Sequence, residues 1–282
     1  MPPDRPVRSA SSGASPLPAT PVPEVRVKPR LRGVFHQYAF FVSLASGTLL
    51  VLLAATTRAS VAAAIYAVSV SALFGVSALY HRITWTTPAR RRMRRLDHAM
   101  IFLLIAGTYT PVGLLVLRGT LGTVVLAVVW GGALAGIVLE LAWTTAPRWL
   151  GGTVYLALGW VAVVATPQLF GRLGLAGGLL IVVGGLIYSA GAAIYALRRP
   201  DPVPAVFGYH EVFHLLVIAG VVTHFLAISL FALPSGSTLH AELKVGDGWS
   251  GNGSAAEVLA GEHSIRAGSG HEPSSGHHRG RS

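Results

Sequence analysis

Long apolar runs, separated by short polar connections, extend over residues 36–233 of the chain. A helix needs about 20 apolar residues to cross the hydrocarbon core of a bilayer. The pattern predicts seven such helices, at residues 36–56, 60–81, 97–117, 121–143, 149–169, 173–197 and 209–233. Because the connections are short, we predict an all-α membrane protein with a seven-transmembrane helix bundle over residues 33–233.

Composition agrees with a membrane domain flanked by two tails. The 282-residue chain is 52% hydrophobic and 12% charged, whereas a soluble domain has about 25% charged residues. Residues 1–32 are rich in Pro, Ser and Arg, and residues 234–282 are rich in Gly, Ser and His. Such segments bury too little apolar surface to form a core, so we predict that both tails are disordered. The N-terminal tail lacks the apolar centre of a signal peptide, so we expect the first helix to direct membrane insertion.

The net charge of +11 indicates membrane orientation rather than nucleic-acid binding. The basic residues are spread over a tail and loops without interleaved aromatic residues, so we expect no nucleic-acid partner. Fifteen of them fall on one side of the predicted bundle: Arg5, Arg8, Arg26, Lys28, Arg30, Arg32, Arg82, Arg90, Arg91, Arg92, Arg94, Arg95, Arg148, Arg198 and Arg199. The opposite connections contain Arg58, Arg118 and Arg172. Basic loops stay on the cytoplasmic side, which predicts a cytoplasmic N-terminus and an external C-terminus in the cell membrane.

Five polar residues come to the cytoplasmic membrane face in this topology. They are Ser77 and His81 near the end of the second helix, Asp97 at the start of the third, and His210 and His214 at the start of the seventh. Ionisable groups inside a membrane are costly and usually functional. Since the chain has no cysteine, a metal must be held by His, Asp or Glu. Three imidazoles with an open fourth position are typical of catalytic zinc, and Asp97 is placed to act as a general base.

Each of these residues also has a structural interpretation. The H-x3-H pair of the seventh helix could form hydrogen bonds between helices. Asp97 follows Arg94 and Arg95 and could cap a helix N-terminus. His81 could be an interfacial residue that reaches towards water, and Ser77 a helix-packing hydroxyl.

Other polar residues are not assigned to the metal site. His98 points about 100° away from Asp97 on a helix. Glu211 occupies another face from the histidine pair, where it could support a ligand or carry an interfacial charge. Glu140 and His36 are expected at the membrane boundary. His224 lies ten residues after His214, roughly 15 Å further along the helix, and cannot share the same ion.

Three sequence blocks resemble the signature blocks of the hemolysin III family. They are SALYHR, LDHAMIFLLIAGTYTPV and GYHEVFHLLVIAGVVTHF. This family is the bacterial branch of the progestin and adipoQ receptor group, which resembles alkaline ceramidases among metal-dependent membrane hydrolases. The resemblance covers residues 33–233 and implies seven membrane helices with a cytoplasmic N-terminus. It further implies that His81, His210 and His214 bind zinc near the inner leaflet, that Asp97 holds the zinc-bound water, and that Ser77 lies beside the site.

These observations favour a zinc-dependent membrane hydrolase acting on a lipid-like amide or ester. The alternatives are a receptor-like or signalling protein with a structural zinc ion, and a membrane-permeabilising cytolytic protein. The cytolytic alternative requires a polar path across the bilayer, for which the outer half of the bundle offers only His224 and scattered hydroxyls. The expected partners are the lipid bilayer and a lipid-like substrate, and the sequence leaves the oligomeric state open.

Overall fold

The computed structural model describes residues 28–143 and 148–235, and the predictions for most of both tails concern residues outside these ranges. The described residues are helical apart from short connections and one isolated backbone bridge between Val203 and Phe207. The helices are α1 (Val34–Leu52), α2 (Thr57–Arg82), α3 (Thr87–Pro111), α4 (Gly119–Ala142), α5 (Arg148–Gly159), α6 (Thr166–Leu197) and α7 (Tyr209–Ala227). The predicted all-helical membrane architecture is confirmed.

Six helical stretches in the described ranges are long and apolar enough to cross a membrane. Five correspond to α1, α2, α3, α4 and α7, with their continuations, and the sixth is the 47-residue stretch Gly151–Leu197. A straight helix of that length would extend about 70 Å, more than twice the thickness of a hydrocarbon core. Two irregularities interrupt it: a 3-10 segment at Trp160–Ala165 and the non-helical Gly174, with φ 67° and ψ −177°.

The first half of this stretch runs antiparallel to α4. The Tyr155 hydroxyl donates a hydrogen bond to Glu140 Oε1, in the last turn of α4, over 3.1 Å. At the other end of α4, Gln168 Oε1 accepts a hydrogen bond from the amide of Arg118 over 2.9 Å. Residues 155 and 168 therefore lie at opposite ends of the same helix.

The second half runs antiparallel to α7. His224, in the last turn of α7, places Nε2 3.2 Å from the carbonyl oxygen of Ile181. Tyr195, near the end of α6, packs against His210 at the start of α7, with ring centroids 5.5 Å apart. The chain therefore reverses direction near Gly174, where the positive φ is a backbone conformation that glycine adopts readily.

Helix α3 begins ten residues earlier than its predicted start at residue 97. Thr86 occupies the N-cap position and Pro88 lies in the first turn, a combination typical of helix starts. The prediction was wrong here because the arginine-rich residues 90–95 are polar, and a search for apolar membrane spans ends where they begin. They form two cationic helical turns before the apolar part of α3.

Helix α3 continues past Pro111 as a π-helical segment at Val112–Val116. The ring of Pro111 has no amide hydrogen to donate, so nearby carbonyls need other donors. The hydroxyl of Thr108 donates to the carbonyl of Leu104, and that of Thr110 to the carbonyl of Ala106, both over 2.8 Å. Both hydroxyls therefore have acceptors within the buried part of α3.

Two apolar clusters hold the helices together. One lies mainly between α2 and α7 and includes Tyr66, Phe74 and Val217, and the other joins α3, α4 and α5 around Phe102. Small residues let the backbones approach closely: a Cβ atom on Gly107 would lie 2.0 Å from the Ser69 hydroxyl oxygen. Close packing therefore sets the relative depth of α2, α3 and α7.

The end of the bundle where α2 finishes and α3 and α7 begin carries Arg82, Arg90 and Arg94, and we call it the basic end. Residues 28–33, here called the N-terminal strap, cross this end before α1. The strap amides of Arg30 and Leu31 donate hydrogen bonds to the carbonyls of residues 205 and 206, over 3.1 and 3.2 Å. The connection between α6 and α7 is thereby attached to the start of α1.

Candidate metal centre

Helix α7 begins where two carboxylates satisfy backbone amides. Glu211 Oε2 accepts a hydrogen bond from the amide of Gly208 over 2.8 Å, and Asp201 Oδ1 accepts one from the amide of Tyr209 over 2.9 Å. The unpaired amides of a helix N-terminus favour such negatively charged acceptors. This start fixes the rotation of α7 and therefore the face on which its two histidines project.

The rings of His81, His210 and His214 meet at the basic end of the bundle. His81 lies in the last turn of α2, while His210 and His214 are one turn apart on α7. One ring nitrogen from each lies within 4.8 Å of the other two, and all three side chains are buried. The structure therefore brings together the three histidines that the sequence predicted as ligands.

The nitrogen separations suit a small divalent cation. A tetrahedral ion bound by imidazole at about 2.0–2.1 Å places its ligand nitrogens roughly 3.3 Å apart. The Nε2 atoms of His81 and His210 are 3.2 Å apart. His214 Nδ1 is buried and has no hydrogen-bond partner among the described residues. Buried ring nitrogens at this spacing form a group that could hold a metal ion.

A carboxylate and a hydroxyl border this histidine group. Asp97 Oδ2 is 3.7 Å from His81 Nε2, and the Asp97 side chain is 15% exposed. Ser77 lies one turn before His81 on α2, is buried, and its hydroxyl is close enough to the Asp97 carboxylate to interact with it. The structure thus gathers all five predicted site residues at the basic end.

The helix-cap interpretation of Asp97 is excluded by the observed start of α3. The N-cap of α3 is Thr86, so Asp97 lies in the third turn of the helix rather than at its N-terminus. Within the described residues the Asp97 carboxylate contacts the His81 ring, and it makes no ion pair with Arg94 or Arg95. Its carboxylate therefore faces the histidine group.

A fourth histidine, His36 of α1, adjoins the group and was not predicted to do so. Its ring stacks on that of His214, with centroids 3.9 Å apart and an interplanar angle of 14°, and also contacts Phe74. His36 is 3% exposed, and neither ring nitrogen has a hydrogen-bond partner among the described residues. His36 was expected only as a boundary residue, and its contact with the histidine group was not predicted. The available signal was that His36 opens a helix on the same membrane side as the other three.

The chain matches the family described as Haemolysin-III related over residues 25–225. It is 35% identical over 182 residues to Hemolysin-3 of Bacillus cereus, covering 64% of this chain and 80% of that protein. It is 32% identical over 203 residues to the Hemolysin-3 homolog of Bacillus subtilis (strain 168), covering 71% of this chain and 92% of that protein. The chain belongs to the hemolysin III family. The matched region includes the strap, the four clustered histidines, Ser77 and Asp97.

In this hemolysin III protein a buried ion pair supports the start of α7. Glu211 lies between the two α7 histidines in sequence, and its side chain is fully buried. Its Oε1 atom accepts a hydrogen bond from Nε of Arg32, which belongs to the strap. The two expectations for Glu211 were a supporting residue and an interfacial charge. The observed pair shows that it anchors the strap to the helix that carries His210 and His214.

The remaining polar candidates lie outside the histidine group. His98 Nδ1 is 3.7 Å from Glu140 Oε2, and the other oxygen of Glu140 accepts from Tyr155. His224 interacts with the Ile181 carbonyl, near the opposite end of α7. These side chains connect α3, α4, α5 and α6 within the hemolysin III fold rather than extending the histidine group.

Proposed function

We propose that this chain is a zinc-dependent integral-membrane hydrolase of a lipid-like amide or ester. The observation that carries the proposal is the buried group of three imidazoles beside a carboxylate, formed by His81, His210, His214 and Asp97. Neutral imidazoles suit zinc, and three protein ligands leave a fourth position for water or substrate.

The proposed protein crosses the membrane seven times, with its N-terminus in the cytoplasm. In this arrangement the stretch Gly151–Leu197 crosses twice, once on each side of Gly174. The antiparallel contacts of its two halves with α4 and α7 support the double crossing. The fifteen basic residues on one side, against three on the other, support a cytoplasmic basic end.

In the proposed reaction His81, His210 and His214 would hold zinc. Asp97 acts as the general base and acid, and Ser77 supplies a hydrogen bond. When bound, zinc supplies a Lewis acid that polarises the substrate carbonyl and acidifies a water molecule. Asp97 accepts the proton of the attacking water as that oxygen adds to the carbonyl carbon. Asp97 then returns the proton to the leaving nitrogen or oxygen when its bond to carbon breaks. The Ser77 hydroxyl beside Asp97 donates a hydrogen bond to the carboxylate or to the developing oxyanion in this proposal.

A substrate with an acyl chain fits the location of the group at the ends of membrane helices. The histidines lie at the end of an apolar cluster between α2 and α7, and the helices expose many large apolar side chains on their outer surfaces. In the membrane, those surfaces face lipid. A carbonyl at the head of an acyl chain can reach the basic end from the bilayer, whereas a small soluble substrate gains nothing from this setting.

A second proposed function is receptor-like, with zinc as a structural ion. The observation that favours it is the depth of burial of the ligand set, with His214 2% exposed and His81 7% exposed. A metal held there would join the end of α2 to the start of α7 whether or not a reaction occurs. In that case removing the metal would unfold the bundle, and the metal-loaded protein would not hydrolyse any lipid.

The full-length chain reconstituted in lipid nanodiscs tests the proposed hydrolase. Bound metal is measured by elemental mass spectrometry, and fatty-acid release is measured from a panel of N-acyl and O-acyl lipids. We expect about one zinc per chain and release from at least one lipid class, lost on chelation and restored by zinc. His210→Gln should abolish release, and His98→Gln serves as the matched control. Release that persists after complete removal of metal would contradict the proposal.

A further inference from the structure

Four cationic side chains lie at the basic end, which faces the cytoplasm in the proposed topology. Lys28 and Arg32 come from the strap, Arg82 ends α2, and Arg90 lies in the first turn of α3. The strap packs directly on the end of α2, since a Cβ atom on Gly33 would lie 2.5 Å from Cβ of His81. Three separate chain segments therefore converge to bring these cations together.

The positive charge of this cluster is only partly compensated. Among the described residues, the carboxylate paired with the cluster is Glu211, which accepts from Nε of Arg32. Lys28, Arg82 and Arg90 make no side-chain ion pair within the described residues. The pKa of Lys28 is lowered, first by its partial burial and then by the charges of Arg82, Arg90 and Arg32. The positive charges of Lys28, Arg82 and Arg90 therefore repel one another, and within the part of the chain that the structure describes none of the three pairs with a carboxylate.

The cluster adjoins the candidate metal centre. Arg32 pairs with Glu211, which lies between His210 and His214 in the chain, and the next strap residue, Gly33, packs against His81. Arg82 follows His81 directly in the chain, and its side chain is exposed. A ligand whose carbonyl lies at the histidines would hold its polar head beside these cations.

The excess of positive charge matches a phosphate better than a carboxylate. A phosphate monoester carries about −1.5 to −2 charges at neutral pH and offers three acceptor oxygens. Guanidinium groups donate two parallel hydrogen bonds to phosphate, and a lysine adds a mobile point charge. A general excess of basic residues on the cytoplasmic side would not by itself pack a cationic strap against the end of α2 beside the histidine group.

We propose that Lys28, Arg32, Arg82 and Arg90 bind the phosphate headgroup of an anionic lipid whose acyl chain remains in the bilayer. This inference rests on the proposed hydrolase function and names its substrate class as phosphate-bearing acyl lipids. The cluster positions the headgroup, and the acyl carbonyl then lies towards His81 and Asp97. Arg32 has a second role, because it also neutralises Glu211 and so links headgroup binding to the start of α7.

Binding of an ether-linked lysophosphatidic acid to the full-length protein in zwitterionic nanodiscs tests this inference. The probe has no carboxylic ester or amide, so binding is measured without hydrolysis of an acyl group. The matched ether-linked lysophosphatidylcholine has the same chain and no net charge, and inorganic phosphate is added as a competitor. Lys28→Gln with Arg82→Gln removes two cations that make no carboxylate pair within the described residues. As a control, Arg91→Gln with Arg92→Gln removes two exposed cations from the first turns of α3, which lie at the same end of the bundle.

We expect the phosphate monoester to bind more tightly than the choline ester, and the Lys28/Arg82 variant to lose about tenfold in affinity for it. The control variant should lose much less. Equal affinity for the two lipids, or an equal loss in the control variant, would overturn the inference. Inorganic phosphate that competes as strongly as the lipid would also overturn it, since the ligand would then be free phosphate.

Zinc content, measured on the same samples, separates this inference from the proposed function. A protein without zinc that still selects the phosphate lipid retains the headgroup site and loses the hydrolase proposal. A protein with zinc that does not discriminate between the headgroups loses the headgroup site alone.

Discussion

The Nε2 atoms of His81 and His210 lie 3.2 Å apart, although 129 positions separate these residues in the chain. His81 lies in the last turn of α2 and His210 in the first turn of α7, so the contact depends on the end of α2 and the start of α7 lying at the same depth. Two neutral imidazoles can share one hydrogen bond at this distance, and a metal ion can replace that bond with two coordination bonds. We therefore expect these two nitrogens to bind the same metal ion.

Replacing His210 with alanine should lower the zinc affinity of the purified protein by more than about 100-fold, because the site loses one of three nitrogen ligands. Replacing His224 with alanine should leave zinc affinity unchanged, since that ring interacts with the Ile181 carbonyl instead. Competition against a chromogenic chelator measures both. Full zinc occupancy in a variant with alanine at residues 81, 210 and 214 would show that the metal binds elsewhere.

The proposed orientation of the chain in the membrane predicts where reporters will be active. A reporter fused after Leu233 should be active only outside the cell, and one inserted between Arg90 and Arg95 only in the cytoplasm. Paired alkaline phosphatase and green fluorescent protein fusions measure the two sides. Cytoplasmic activity after Leu233 would reverse the topology and remove the argument that the basic end faces the cytoplasm.

Periodicity and charge predicted the helices and the meeting of five site residues, but not the full extent of α3. The apolar pattern locates a membrane helix by its apolar residues alone, so the arginine-rich turns before Leu96 were assigned to a loop. The pair Thr86 and Pro88 was the local signal for the earlier start. That start changes the chemistry, because it moves Asp97 from a cap position to the interior of the helix.

The neighbours of the site were less predictable than its central residues. Arg32 and Glu211 pair across 179 positions, and no local pattern relates a tail arginine to a glutamate in the last helix. His36 was visible as a polar residue at a helix start, but its stacking on His214 depends on how α1 rotates against α2 and α7. Rotation of this kind is set by packing, as with Gly47 of α1 against Ala67 of α2.

The Arg32–Glu211 pair should stabilise the bundle. Arg32→Gln leaves a fully buried carboxylate without its cation, and we expect the free energy of unfolding to fall on the order of 2 kcal/mol. This is less than for a fully buried pair because Arg32 is partly exposed. Unfolding in mixed micelles measures the change. Glu211→Gln in the same background should recover part of the loss, whereas equal stability of wild type and Arg32→Gln would contradict the role of the pair.

His36 should support His214 through its ring rather than its nitrogens. His36→Ala removes the stacked ring and leaves a cavity, so we expect a loss of about 2 kcal/mol in stability and up to about tenfold in zinc affinity. His36→Phe keeps an aromatic ring and removes two unpartnered nitrogens, so both properties should stay near wild type. Unfolding and zinc competition are measured together. A phenylalanine variant that loses as much zinc affinity as the alanine variant would indicate that His36 nitrogens bind the metal.

Asp97→Asn distinguishes a proton acceptor from a residue that only orients His81. Asparagine keeps the size of the side chain and its capacity to accept a hydrogen bond from Ser77, but it does not take up a proton at neutral pH. If Asp97 is the general base, zinc content and stability should remain near wild type while lipid hydrolysis falls about 10²–10⁴-fold. If the carboxylate only orients the His81 ring, 3.7 Å away, the amide should largely replace it and hydrolysis should persist. Ser77→Ala provides the intermediate case, because it keeps the carboxylate and removes its hydrogen-bond donor, so its loss of activity should be smaller. A variant with asparagine at residue 97 that holds zinc and hydrolyses lipid at the wild-type rate would remove Asp97 from the reaction and favour the receptor-like alternative.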